Sequence, residues 1–314
     1  MKNSKRFFWI CLFVILVSGG AFIYKYFFVQ KKEHFTHLNT ANHQIKVAPP
    51  AIKTTTPTQK TTTTTAAPII EITPNLSTWV WRDWISEDGS LFLTLRTGVW
   101  NPSGTLFYLD RRGGVSLEGF QKGLNIQLKS FDAEKGLEAP PEYKITGILN
   151  REQNTFSASI IHYPDETERQ ILFKPAIATS KTQPVFKLKY YGFEDPEWHN
   201  KKITQVAIIN PKNQTTQHLT GFEAQAYAVE YLDLNYDGYF DILLDISKQV
   251  GNGEQRYLAF TYNADTEQFE KYDFLNNILG NITRYPQKKQ LHLEQGLFEM
   301  QNGQWKEIPC CYAD

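Results

Sequence analysis

Oxygen-bearing side chains recur along Asp233-Leu-Asn235-Tyr-Asp237-Gly238-Tyr239-Phe-Asp241. This is spacing that a hard divalent cation can use. Calcium takes roughly six to eight oxygens at about 2.3–2.6 Å. Loops that fold around it supply oxygens at the first, third, fifth and ninth positions, a backbone carbonyl at the seventh and a glycine at the sixth. On that pattern Asp233, Asn235, Asp237 and Asp241 are side-chain ligands of Ca2+, and Tyr239 offers its carbonyl. The twelfth position, where a helix-loop-helix site carries a bidentate Glu, is Leu244. The flanks Tyr231-Leu232 and Ile242-Leu-Leu244 are apolar, so the loop reads as strand-loop-strand. The ion is expected to be a staple and not a catalyst. The competing reading is an Asp/Asn-rich turn without metal, since these residues favour turns anyway.

The elements that must hold such a loop read as strands. The chain has 21 Phe, 16 Tyr and 7 Trp against 2 Met, a composition that favours sheet over helix. Leu91, Leu93 and Leu95 alternate with Phe92, Thr94 and Arg96, and Ile126 and Leu128 alternate with Asn125, Gln127 and Lys129. Turn signals such as Asn101-Pro-Ser-Gly104, Arg111-Arg-Gly113-Gly114 and Tyr163-Pro-Asp-Glu166 separate the runs. This half, residues 78–175, is expected to be an antiparallel meander ending near Lys174-Pro175. Trp79-Val-Trp81-Arg-Asp-Trp84 is expected to pack at the edge of its first strand. A second β-rich half, residues 184–314, carries the metal loop. Its run Ile242-Leu-Leu-Asp-Ile246 is nearly continuous in apolar residues and should be buried on both faces. Repeated hairpins, one turning at Asn302-Gly303, suit a propeller-like or barrel-like closure. The fold class is therefore all-β.

The N-terminal stretch is of another kind. Residues 7–29 are apolar apart from Lys25, long enough to cross the roughly 30 Å hydrocarbon layer as a helix. The expectation is a transmembrane signal-anchor with residues 1–6 as a cytoplasmic tail. Residues 30–77, with Thr61-Thr-Thr-Thr-Thr65 at their centre, have no apolar period and read as a linker. The bulk of the chain would then lie in the periplasm, tethered to the inner membrane.

Several function classes lose support. Lys+Arg and Asp+Glu are equal at 33 each, so no basic field draws in nucleic acid. The chain contains no G-x-S-x-G, H-E-x-x-H, Walker loop or Cys-x-x-Cys, and the expectation is a protein that is not an enzyme. Three cysteines, one in the apolar run and two at Cys310-Cys311, make no disulfide framework across the core.

Asp-x-Asn-x-Asp-Gly-x-x-Asp between strands resembles the calcium loops of integrin-type FG-GAP/VCBS propeller repeats. The wider stretch is similar to periplasmic calcium-binding immunity proteins, which protect bacteria against lysozyme-like effectors of X-type IV secretion systems. That likeness rests on Tyr231-Leu-Asp-Leu-Asn-Tyr-Asp-Gly-Tyr-Phe-Asp-Ile242, then Gly251-Asn-Gly253, then Tyr257-Leu-Ala-Phe-Thr-Tyr262 with Phe269, and it covers residues 186–275. It implies a propeller-like β fold, a periplasmic location and inhibition of a peptidoglycan hydrolase. For an inhibitor, the expected plug is Ser247-Lys248-Gln-Val-Gly-Asn252-Gly-Glu254-Gln-Arg256. Lys248 and Arg256 could pair with a hydrolase's carboxylates, Glu254 could accept from its donors, and Asn252 lies between them. An ordinary hairpin connection is the competing reading of that loop. An envelope glycan-binding or glycan-hydrolysing module and a structural adhesin-like protein are the alternative functions.

Overall fold

Leucines at every second position become the lining of a barrel. In the computed structural model the described residues are 68–72, 77–131, 140–179, 181–195, 200–226, 228–247, 255–276 and 279–309. They belong to the compact unit Thr64–Asp314. The expected membrane span, 7–29, and most of the expected linker lie outside them. Among the described residues no helix is long and apolar enough to cross a membrane.

Strands β2 (Ser77–Ser86), β3 (Leu91–Thr97), β4 (Ser103–Tyr108), β5 (Gly114–Lys122), β6 (Asn125–Phe131), β7 (Tyr143–Asn150), β8 (Thr155–His162) and β9 (Thr167–Pro175) form an antiparallel meander. β9 returns to β2 through Trp84↔Pro175, Ile85↔Lys174 and Ser86↔Phe173, so the meander closes as a barrel. Closure leaves no unpaired edge among these strands. Leu93, Leu95, Leu106, Ile126, Ile145, Phe156 and Phe173 fill the interior. Trp84 lies among them, fully buried, stacked on Phe156 at 5.5 Å, its indole N–H donating to the Asn154 carbonyl at 2.8 Å. The expectation of edge packing for the Trp79–Trp84 run thus fails at Trp84, because β2 has neighbours on both sides. Gly119 permits a close approach in this wall: a Cβ there would lie 1.8 Å from the Gln127 carbonyl oxygen.

Among the described residues the remaining strands fall into three runs of four, the middle one continuous with the barrel through β13 and β2. The first joins β1 (Ile70–Glu71), β10 (Lys187–Glu194), β11 (Lys201–Ile209) and β12 (Thr216–Gln225). β1 comes from the end of the stretch expected to be linker, held there because Ile72 is buried in the core. The second is β13 (Ala228–Leu232), β14 (Asp241–Asp245), β15 (Tyr257–Asn263) and β16 (Gln268–Lys271). The third is β17 (Thr283–Tyr285), β18 (Gln290–Leu293), β19 (Gly296–Gln301) and β20 (Gln304–Ile308). Ile242 and Leu244 pack against the first sheet with Val206, Tyr190 and Ile203. Leu243, between them, packs against Leu291 and Leu293 of the third. β14 is therefore buried on both faces, as its apolar run requires. Meanders stacked this way are propeller-like.

One pairing ties stack to barrel. β13 runs parallel to the first half of β2, from Ala228↔Ser77 to Tyr231↔Val80. β2 is thus a strand of the barrel and of the middle sheet at once.

Candidate metal loop and an adjoining cleft

The metal-type loop connects β13 to β14, with Leu232 paired to Asp241 at its base. Residue by residue, it is wound on its own carboxylates. Asp233 accepts from the Asp237 N–H at 3.2 Å and the Gly238 N–H at 2.8 Å. Asp237 accepts from the Tyr239 N–H at 2.8 Å and the Asn235 amide at 2.9 Å. Asp241, fully buried, accepts from the Leu234 N–H at 2.7 Å and from the Tyr262 N–H of β15 at 2.9 Å. Gly238 has φ 92°, and a Cβ there would meet Thr179 Cγ2 at 2.8 Å, so glycine is required on both counts. Tyr239 is buried in the core between sheets, and its hydroxyl accepts from the Lys181 N–H at 2.9 Å. Leu244, at the twelfth position, is core.

The electrostatics are those of a crowded anion. Burial, then repulsion from Asp237, lifts the Asp233 carboxyl from its usual 3.8 to about 7, against the pull of Arg284. Burial, then Asp233 and Asp237, lifts Asp241 well above its ordinary value. Asp237 is raised as well, chiefly by burial. The donor chemistry fits a hard divalent cation: three carboxylates and a carboxamide sit on one loop, the carboxylates destabilised first by burial and, at Asp233 and Asp241, by neighbouring charge. Yet among the described residues no three His, Cys, Asp or Glu side chains are gathered round one point. The carboxylates are turned towards backbone N–H groups.

The loop sits where several parts of the fold meet. Arg284, from β17, donates to Asp83 of β2 at 2.6 Å and to the Asp233 carbonyl at 2.9 Å. Both side chains of that ion pair are about nine-tenths buried. Burial opposes the charge on Arg284, but Asp83, Tyr236 and Asp233 together outweigh it and hold the guanidinium above its usual range. Tyr236, at φ 56°, donates its hydroxyl to the Gln290 carbonyl at 2.9 Å. Barrel, middle sheet and third sheet thus all touch this loop.

The loop expected to carry inhibition starts elsewhere. It leaves the far end of β14, five residues on, roughly 15 Å away at about 3.3 Å per residue. The Ser247 hydroxyl accepts from the Arg256 N–H at 3.0 Å, and the Ser247 carbonyl from the Gln225 amide at 2.5 Å. Lys248, Asn252 and Glu254 lie outside the described residues. Arg256 is tied into the base of the loop, bridged to Leu279.

A second cluster escaped the sequence reading. Arg82 points into the barrel end beneath the metal loop, where its Nε donates to Thr97 at 3.2 Å and Nη1 to the Asn154 carboxamide oxygen. Its guanidinium lies 5.2 Å from the Phe240 ring centroid. The signal was in the alternation Val80, Arg82, Trp84, which puts an arginine on the inward face.

Neither a family model nor a curated protein matches the sequence. Among solved structures, a crystal structure of the tricorn protease is a neighbour at 9% identity and a TM-score of 0.23. The match covers 73% of this chain and 33% of that one, so the chain spans about a third of its neighbour's length. A likeness at that score carries no argument.

Proposed function

We propose that this chain is a calcium-stapled, membrane-tethered periplasmic protein that binds and inhibits a peptidoglycan hydrolase, and is not itself an enzyme. The observation that carries the metal is the burial of Asp233, Asp237 and Asp241 on one loop, which raises all three carboxyls, with neighbouring carboxylates adding to the rise at Asp233 and Asp241. A divalent cation neutralises such buried charge. Asp233, Asn235, Asp237 and Asp241, with the Tyr239 carbonyl, are the residues that would hold it. Its contribution is charge neutralisation that steadies the junction of barrel and sheets. Support for the inhibitory role is the likeness of residues 186–275 to calcium-binding immunity proteins. The test is cell-wall lysis by lysozyme in the presence of the purified full-length protein, in calcium and in chelator. Inhibition in calcium that is lost in chelator, or lost on replacing Lys248 and Arg256 by Ala, is the expected result. Undiminished lysis at excess protein in calcium refutes the reading.

One observation favours binding to envelope glycan as a second reading. A groove of about 810 Å3 on the barrel's outer wall is lined by Trp100, Phe120 and Tyr163, beside Lys129 and Lys144. Trp100 is 70% exposed. Exposed aromatic faces next to hydrogen-bonding side chains suit the apolar faces and hydroxyls of a sugar chain. Co-sedimentation with insoluble peptidoglycan, lost in Trp100→Ala, would carry it; no co-sedimentation by the intact protein rejects it.

A further inference from the structure

The barrel end that holds Arg82 opens into a cleft of about 270 Å3 between barrel and stacked sheets. Arg82 and Arg151 line it, and no Asp or Glu does so among the described residues. Arg82 is 6% exposed, and its two hydrogen bonds run to neutral oxygens. A buried guanidinium ordinarily has a carboxylate partner, since an uncompensated buried charge is costly. Burial accordingly depresses Arg82 to about 10, and the neighbouring Arg151 adds to the effect. The Gln183 amide nitrogen, from another residue lining the cleft, is buried with no hydrogen-bond partner. Buried donors without partners are rare and call for an explanation. The rings of Phe186, Tyr231 and Phe240 line the same cleft, Phe240 with its centroid 5.2 Å from the Arg82 guanidinium.

We propose that this cleft binds a small organic carboxylate, its head held by Arg82, Arg151 and the Gln183 amide, and its apolar body against Phe186, Tyr231 and Phe240. The guanidinium fork matches a planar carboxylate in two parallel hydrogen bonds. The aromatic walls add a requirement that an inorganic anion cannot meet. The volume is at the small end for ligand pockets, which sets the ligand near the size of a benzoate. Polar groups gathered beside aromatic walls are the usual anatomy of a small-molecule site.

The test is isothermal titration of the full-length protein with sodium benzoate, methyl benzoate and inorganic phosphate as separate probes. Benzoate is expected to bind saturably at one site at millimolar concentration or below. Methyl benzoate, uncharged and similar in shape, should not bind, and phosphate should bind at least tenfold more weakly. Gln183→Ala and Arg151→Ala should each weaken benzoate about tenfold or more, since a hydrogen bond to a charged group is lost. Both residues lie outside the closed barrel core, so these variants are expected to fold, and their melting curves check it. Arg82→Met should abolish binding if it folds. No saturable benzoate binding overturns the proposal. So does phosphate binding as tightly as benzoate, or wild-type affinity in both Gln183→Ala and Arg151→Ala.

Discussion

Removing calcium should expose a pH dependence of unusual sign. In the metal-free protein Asp233 titrates near 7, against 3.8 for an ordinary carboxyl. A carboxyl raised by folding stabilises the fold when protonated. That stability is complete below pH of about 4 and is lost as pH rises through about 7. At about 1.36 kcal/mol per pKa unit the full effect is about 4 kcal/mol, of which more than half falls between pH 5 and pH 8. Asp237 and Asp241 shift in the same direction and add to it. For a unit of this size each kcal/mol moves the melting temperature by about 2–4 °C, so melting in chelator should drop by about 5–10 °C from pH 5 to pH 8. Calcium at about a hundred times its dissociation constant adds about 2.7 kcal/mol. It binds the deprotonated loop, so it should act most at pH 8 and flatten the slope. Asp237→Ala should abolish the calcium response. The assay is thermal unfolding followed by circular dichroism in chelator and in calcium across that pH range. A flat pH profile in chelator refutes the electrostatics, and an unchanged melting temperature in calcium at pH 8 refutes the metal.

Other perturbations follow from single contacts. Asp83→Ala leaves Arg284 buried without its carboxylate and should cost about 3–5 kcal/mol in urea unfolding. Trp84→Ala empties the barrel beside Phe156 and should cost a similar amount, about 3–5 kcal/mol, with loss of the near-ultraviolet aromatic signal. Gly119→Ala drives a methyl into the Gln127 carbonyl, and should lower the melting temperature where a surface Gly→Ala normally raises it. Trp100→Ala, at an exposed site, should leave stability within about 0.5 kcal/mol, so any loss of peptidoglycan binding there reports on binding itself.

Local order was legible where period and turn chemistry agree. Asn302 at φ 52° and Gly303 at φ 76° join β19 to β20 in the tight turn that Asn-Gly announces. The run Ile242-Leu-Leu244 faces two cores, as continuous apolarity demands. The meander ends at Pro175, the last residue of β9. Pairings across distance were not legible. Nothing local to Trp84 says that Pro175 will close a barrel beside it, or that Ser77 will lie parallel to Ala228. The candidate metal loop was visible because its oxygen-bearing residues, Asp233 to Asp241, lie in one short run. The Arg82 cleft was not, because Arg82, Arg151 and Gln183 come from three segments that only the tertiary fold assembles.

The double membership of β2 has a mechanical consequence. A pull applied from the N-terminal side reaches β1 first and then β2. β1 offers two paired residues and peels off one bond at a time. β2 is held by β13, β3 and β9 along its ten residues. Drawn lengthwise, it must shear against all three together. A chain anchored at that end would therefore resist tension through its most connected strand, and yielding there would open barrel and stacked sheets in the same event.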